Sequence, residues 1–343
     1  MTTTTTTTED LTTTRTMRAV AQDRYGDADV LAVQTLPVPE PDAGQVLLRV
    51  RAAGVDRGVW HLMTGKPALI RVLGFGFRRP KQPVRGGDVA GTVVAVGEGV
   101  DRFAPGDEVF GVADGSYAEY AVADADRLAP APAELSPAES AVLAVSGITA
   151  LYAVEEVADV QAGQRVLVLG GSGGVGSYVV QLAAARGAHV TAVASAAKAD
   201  FVRGLGAERF VDYRAEDVTA SREVFDAIID TGGNTPVRRL RRVLSPTGTL
   251  VIVGGEGGGW LTGGLGRQIG ASLLSNFTKQ KLAFFISPED SGSMDRLSEH
   301  VAAGRVRPAV TRTYALADAP QAIADLVAGR IAGKAAIEIE AAS

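Results

Sequence analysis

Between Arg165 and Lys198 the chain reads RVLVLGGSGGVGSYVVQLAAARGAHVTAVASAAK, and Gly171, Ser172, Gly173, Gly174, Val175 and Gly176 within it fit the spacing G-x-G-x-x-G. Glycines so placed allow a tight turn, let the main chain approach a pyrophosphate, and bring a helix close to its strand with its N-terminus toward the phosphates. That chemistry is dinucleotide binding. About 20 residues further on, an Asp or Glu would bond the free 2′-hydroxyl of an NAD ribose. Here the chain has Ala194-Ser195-Ala196-Ala197-Lys198 instead. Ser195 can donate to a 2′-phosphate, Lys198 can pair with it, and Tyr213, in Val211-Asp212-Tyr213-Arg214, can reach the same place. These residues predict NADPH as cofactor. The plain alternative makes Lys198 a solvated helix lysine and Tyr213 a turn aromatic.

The elements around the turn have the right rhythm to position it. From Arg165 onward, apolar runs of four to six residues (VLVLG, HVTAVAS, RFVDY, FDAIID, GTLVIVGG) alternate with helical stretches such as VGSYVVQLAAARG and AKADFVRGLG. This alternation predicts a doubly wound parallel sheet covered by helices on both faces. The preceding half differs. Short β runs broken by Gly and Pro, at 45–55, 88–100, 103–112 and 117–122, predict a compact β barrel. Between the two, Ser136-Pro137-Ala138-Glu139 combines a capping Ser, a Pro in the first helical position and a Glu three residues after the cap. The closing run GKAAIEIE (333–340) reads as a strand that returns to the first domain.

Composition narrows the class. The 343 residues exceed the roughly 100–200 of one typical domain, so two domains are expected. A net charge of −5 with only short, interrupted basic clusters argues against nucleic acid as a partner, and no apolar run approaches the roughly 20 residues that span a bilayer. The opening MTTTTTTTEDLTTTRT reads as a disordered tail over 1–16 rather than a secretion signal. The absence of cysteine removes disulfides and thiolate metal ligands together, which points to a cytoplasmic enzyme without a cysteine-based zinc site.

The order of barrel, capped helix, GSGGVG turn and closing GKAAIEI strand resembles the medium-chain dehydrogenase/reductase superfamily, in its zinc-free, quinone oxidoreductase-like branch. The phrases RAAGVDRGVWHLMTGKP (51–67), GGDVAGTVVAVGEGVDRFAPGDEVFG (86–111), SGITALYAV (146–154), LGAERFVDY (205–213) and AGRVRPAVTRTYALADAPQAI (303–323) support it, and the likeness covers nearly all of 17–340. The resemblance implies an α/β fold: a GroES-like catalytic domain over 17–145, completed by 287–343, and a Rossmann NADP-binding domain over 146–286. Zinc-dependent members would place a Cys after Gly54-Val55, a His-Glu pair after Gly86, and a second Cys near Gly147. This chain has Asp56, Gly87-Asp88 and Ser146 there. No metal is expected, and without a Lewis acid the alkoxide of a simple alcohol has no strong stabiliser. Conjugated acceptors spread the incoming charge, so the expected activity is NADPH-dependent hydride transfer to a quinone or an α,β-unsaturated carbonyl compound. A pathway-specific reductase of enoyl thioesters, ketones or aldehydes, or an NADPH-binding redox sensor without turnover, fits the same fold.

Candidate catalytic residues follow from type and place. Asp56 can orient the nicotinamide, hold a proton, or serve as a turn carboxylate; zinc-free relatives commonly have Asn there. His61 is a possible proton donor, one of three histidines in the chain, with a structural role as its rival. Lys66 is an oxyanion donor or solvated, and Tyr117 completes the set. Thr149 resembles a position contacting the nicotinamide end of the cofactor, and Gly254 and Gly255 follow a strand end where ligands sit in open sheets. Asn234 is a weaker candidate. The apolar-then-basic loop 69–83 either covers the substrate pocket or lies at a subunit contact. The resemblance makes Lys281 to Ile286 an edge strand, whose unpaired rim predicts a homodimer.

Overall fold

The computed structural model describes residues 15–254 and 262–340, with the main chain alone at Leu73. Residues 1–14, most of the expected tail, and Gly255 lie outside the described residues. Among the described residues the first element is β1 (Thr16–Ala21), which starts one residue before the Met17 that the sequence suggests and pairs antiparallel with β2 (Ala32–Pro37).

The barrel is built on one long strand. β3 (Gln45–Gly54) pairs along one edge with β4 (Asp88–Val96), and divides its other edge between two partners. Residues 45–49 pair with β6 (Tyr120–Asp124), and 52–54 with β15 (Lys334–Glu338), the strand that closes the chain. β5 (Glu108–Val112), β7 (Leu128–Pro130) and β14 (Val310–Ala315) complete a seven-stranded sheet. The middle of β3 alternates: Leu48, Val50 and Ala52 are buried, and Arg49 and Arg51 between them are exposed. Helix α1 (Arg57–Thr64) leaves the end of β3 and packs Val59 and Met63 into the same core.

Two helices lead into the second sheet. α2 (Pro137–Ser140) starts in a full capping box: Glu139 N–H donates to Ser136 Oγ at 3.3 Å and Ser136 N–H to Glu139 Oε2 at 3.0 Å. α3 (Ala144–Leu151) follows. The sheet is six-stranded and parallel, made of β8 (Arg165–Leu169), β9 (His189–Ala194), β10 (Arg209–Asp212), β11 (Phe225–Asp230), β12 (Leu244–Ile252) and β13 (Lys281–Ala283), in the order β10-β9-β8-β11-β12-β13. Apolar residues on both faces of β8 and β11 are buried, which is why both runs read as continuous hydrophobe. β13 is an edge strand, but only Lys281–Ala283 joins the ladder; 284–286 run on unpaired. Helix α4 (Gly174–Ala185) begins at the glycine turn and presses against β8. A Cβ on Gly176 would come 2.1 Å from the Gly170 carbonyl oxygen, so only glycine lets the helix sit this close.

Candidate active site

One cleft of about 660 Å³ joins the ends of the two sheets. Ser172, Gly173, Gly174 and Val175 line it from the turn, Lys198 and Tyr213 from the ends of β9 and β10, and Gly254 from the end of β12; Val55, Asp56, His61 and Ser146 line the barrel side. α4 has Gly173 as its N-cap and no side-chain cap, leaving its first N–H groups to a ligand. These residues fit a nicotinamide dinucleotide.

At the mouth, Lys198 ends a short turn (196–198) in which its N–H donates to the Ser195 carbonyl at 2.9 Å. Its Nζ donates to the carbonyls of Gly329 at 3.1 Å and Ile331 at 2.6 Å, and partial burial lowers its pKa. Tyr213 is 57% exposed, with the Arg214 guanidinium over its ring. Asn234 lines the cleft as well. Thr149 stands back from it: Oγ1 donates to the Val145 carbonyl at 2.6 Å and meets Ser287 Oγ at 3.1 Å.

The barrel side has the strongest electrostatics. Asp56 Oδ1 accepts from Ser146 Oγ at 3.0 Å and from the Lys334 ammonium, which also donates to Ser146 Oγ at 3.0 Å. Asp88 Oδ1 accepts from Val145 N–H at 2.9 Å, and its Oδ2 lies 3.6 Å from Lys334 Nζ. Burial alone would raise the pKa of Asp56, but the Lys334 charge and hydrogen bonds from Asp88, Lys334 and Ser146 hold it below the usual range. Burial, then the Asp56 charge beside it, pushes Asp88 well up. Of the two carboxyls, Asp88 is therefore the one that holds a proton more tightly, and Asp56 the one that carries the charge facing Lys334.

The remaining candidates separate. His61 Nδ1 is 2.8 Å from the Lys66 carbonyl, which orients its ring in the cleft wall, whereas the Lys66 side chain is exposed and apart from the lining. Tyr117 is wholly buried behind the wall, its hydroxyl donating to the Gly54 carbonyl at 3.2 Å, and burial raises its pKa well above normal. In the loop 69–83, Arg71 bonds the carbonyls of Thr64 and Gly65 and stacks on Tyr25.

Family models for the alcohol dehydrogenase GroES-like domain and for zinc-binding dehydrogenase match residues 42–133 and 205–337. A chloroplastic quinone-oxidoreductase of Triphysaria versicolor is 30% identical over 340 residues, covering 94% of this chain and 98% of that protein. The chain belongs to the medium-chain dehydrogenase/reductase superfamily, on its quinone oxidoreductase-like side. The mitochondrial NAD(P)H oxidoreductase of Bos taurus is 30% identical over 362 residues, covering 94% of this chain and 89% of that protein. A mycobacterial structure complexed with NADPH superposes with a TM-score of 0.79 at 28% identity, covering 94% and 99% of the two chains. This medium-chain dehydrogenase/reductase is an NAD(P)H oxidoreductase with a nicotinamide cofactor. Among its described residues, no helix is long and apolar enough to cross a membrane.

Zinc does not fit the residues that this dehydrogenase/reductase places at the barrel end. Asp56, Asp88 and Ser146 supply hard oxygen donors without thiolate or imidazole, and the point they surround is taken by an ammonium that would repel a dication. Lys334 is the residue that reading the sequence missed. Within GKAAIEIE it passes for an ordinary strand lysine; only its fully buried place in an apolar run of β15 sets it apart.

Proposed function

We propose that this chain is an NADPH-dependent, metal-independent reductase of conjugated carbonyl acceptors, quinones and enones. One observation supports it above the others: a single cleft has a cation and a phenol, Lys198 and Tyr213, at the ends of neighbouring parallel strands, and an ammonium-neutralised carboxylate, Asp56, at the opposite side. In this reading, the backbone of Gly171 to Gly176 holds the pyrophosphate, and Ser195, Lys198 and Tyr213 take the 2′-phosphate. Gly254 belongs to the nicotinamide end, and Thr149 supports it from behind through the Val145 carbonyl. Bound NADPH supplies the hydride. Asp56 and Ser146 orient the reacting end from the floor, and His61, whose Nδ1 faces the Lys66 carbonyl in the cleft wall, is the proton donor to the reduced product. Tyr117 acts from behind Asp56, and Lys66 through its carbonyl on His61. The barrel with 287–343 forms the catalytic domain, 146–286 the nucleotide domain, and the protein works as a cytoplasmic homodimer.

The test is consumption of NADPH and, separately, NADH by chelator-treated protein offered ortho- and para-quinones, enones, simple ketones and enoyl thioesters. Turnover with NADPH and conjugated acceptors, insensitive to chelator, is the expected result. Loss of activity on chelation, or a preference for NADH, overturns the reading.

A further inference from the structure

β3 ends at Gly54, β4 begins at Asp88 and β15 begins at Lys334, and because these strands are neighbours in one sheet they open at a common rim. Asp56, two residues beyond β3, and Ser146, on α3, close the group from either side. The Lys334 side chain is 1% exposed. Its stem runs beside the cofactor turn, since a Cβ on Gly174 would come 3.2 Å from Lys334 Cδ and 3.3 Å from Ser146 Oγ. Burying an ion pair costs a desolvation penalty that its own attraction barely offsets, so stability alone is a weak reason to keep a lysine here.

The ammonium has three N–H donors. Two are met by Asp56 Oδ1 and by Ser146 Oγ at 3.0 Å, and the next oxygen, Asp88 Oδ2, lies 3.6 Å away, beyond a hydrogen bond. Ser146 accepts from Lys334 and donates to Asp56 at 3.0 Å, which fixes the direction of its hydroxyl. A catalytic zinc keeps one position open for substrate. This ammonium, 1% exposed and set behind the cleft lining, presents none to the cleft.

We propose that the Lys334 ammonium stands in for the metal as the cation of the reaction site, fixing Asp56 and Ser146 at the cleft floor while offering substrate no open position. Lys334 is a positioning residue; it reaches the substrate only through Asp56 and Ser146, which line the cleft. Simple ketones, whose oxygen needs a cation to polarise it, are excluded, and acceptors that delocalise the incoming charge are taken. The proposal rests on the reductase reading above and gives it a determinant of substrate class.

The experiment compares Lys334→Ala, which leaves a cavity lined by oxygens, with Lys334→Met, which fills it without charge. Both are expected to bind NADPH within about threefold of wild type and to lose about 100-fold or more in kcat with a para-quinone. Ethylammonium is expected to restore kcat saturably in Lys334→Ala alone, and neutral 1-propanol is not. Unchanged kcat in both variants, or equal rescue by propanol, overturns the proposal. If Lys334→Ala does not fold, Ser146→Ala takes its place: about a tenfold loss in kcat with unchanged NADPH affinity is expected, and full activity overturns the proposal. Should the wild-type chain reduce no acceptor, the reductase reading fails, and the cation is then tested through the fluorescence of bound NADPH. Emission altered in Lys334→Ala and restored by ethylammonium supports the positioning role; emission indifferent to both refutes it.

Discussion

Lys198 Nζ donates to the Ile331 carbonyl at 2.6 Å, tying the end of β9 to the segment that runs into β15. A 2′-phosphate at this mouth would offer the ammonium a charged acceptor in place of a neutral one, and charge-assisted hydrogen bonds are the stronger. Lys198→Ala is therefore expected to weaken NADPH binding about 10- to 100-fold while moving NADH binding little, as read by fluorescence titration of both cofactors. Equal losses for the two would remove Lys198 from the 2′-phosphate site.

The cofactor turn and the capping box were legible because their chemistry is local. Gly171 to Gly176 and Ser136 to Glu139 each lie within one short segment, and their spacing alone dictates the turn. The Lys334 cluster was not legible for the opposite reason. Asp56, Asp88 and Lys334 meet only because β3, β4 and β15 are neighbours in a sheet, and 278 residues separate Asp56 from Lys334. Asp56, Asp88 and Ser146 stand out in the sequence together, as departures from a zinc pattern, but no periodicity says that a lysine from the last strand enters among them. Tyr117 shows the same limit. Its type suggests chemistry, whereas main-chain hydrogen bonds to the Arg85 carbonyl and from Val20 N–H hold it where its hydroxyl meets the Gly54 carbonyl inside the wall.

Asp230, at the end of β11, organises the cleft from behind. Its Oδ1 accepts from Gly232 N–H at 3.1 Å and Gly233 N–H at 2.9 Å, and its Oδ2 pairs with Arg267 on the helix Leu265–Ser275. The carboxylate is 1% exposed and the guanidinium 18%, so removing the cation leaves a buried charge half compensated. Arg267→Met is expected to lower unfolding free energy by about 3 kcal/mol in urea melts and to weaken cofactor binding through the Thr231-Gly232 wall. A loss under about 1 kcal/mol would show that the two glycine N–H groups suffice to hold Asp230.

Asp325, on the helix Ala319–Val327, accepts from Tyr314, Arg312 and Gln321 at 2.7 Å and from Arg330 at 2.8 Å. The Tyr314 hydrogen bond first, then Arg330, lowers its pKa from 3.8 to about 2. A carboxyl whose pKa falls on folding stabilises the native state above its unfolded pKa and loses that contribution as pH drops through the folded one. The window here runs from about pH 4 down to about 2. Thermal melts of wild type and Asp325→Asn should differ most above pH 4 and converge toward pH 2. A gap independent of pH would assign the difference to packing rather than to the charge.

The rim of β13 is free of a further strand among the described residues, and bulky apolar side chains flank it: Ile286 is 92% exposed, Phe277 87% and Leu273 61%. An unpaired edge beside such a patch invites a second copy of the same edge, which a two-fold axis pairs antiparallel. The chain is expected to sediment as a dimer at micromolar concentration, and Ile286→Glu or Phe277→Asp to shift it to monomer with an unchanged melting profile of the nucleotide sheet. The loop 69–83 is the competing contact, because Phe77 is 73% exposed there and Val72 68%. A dimer broken by Phe77→Asp but untouched by Ile286→Glu would move the interface to that loop and leave β13 as a solvent-facing edge.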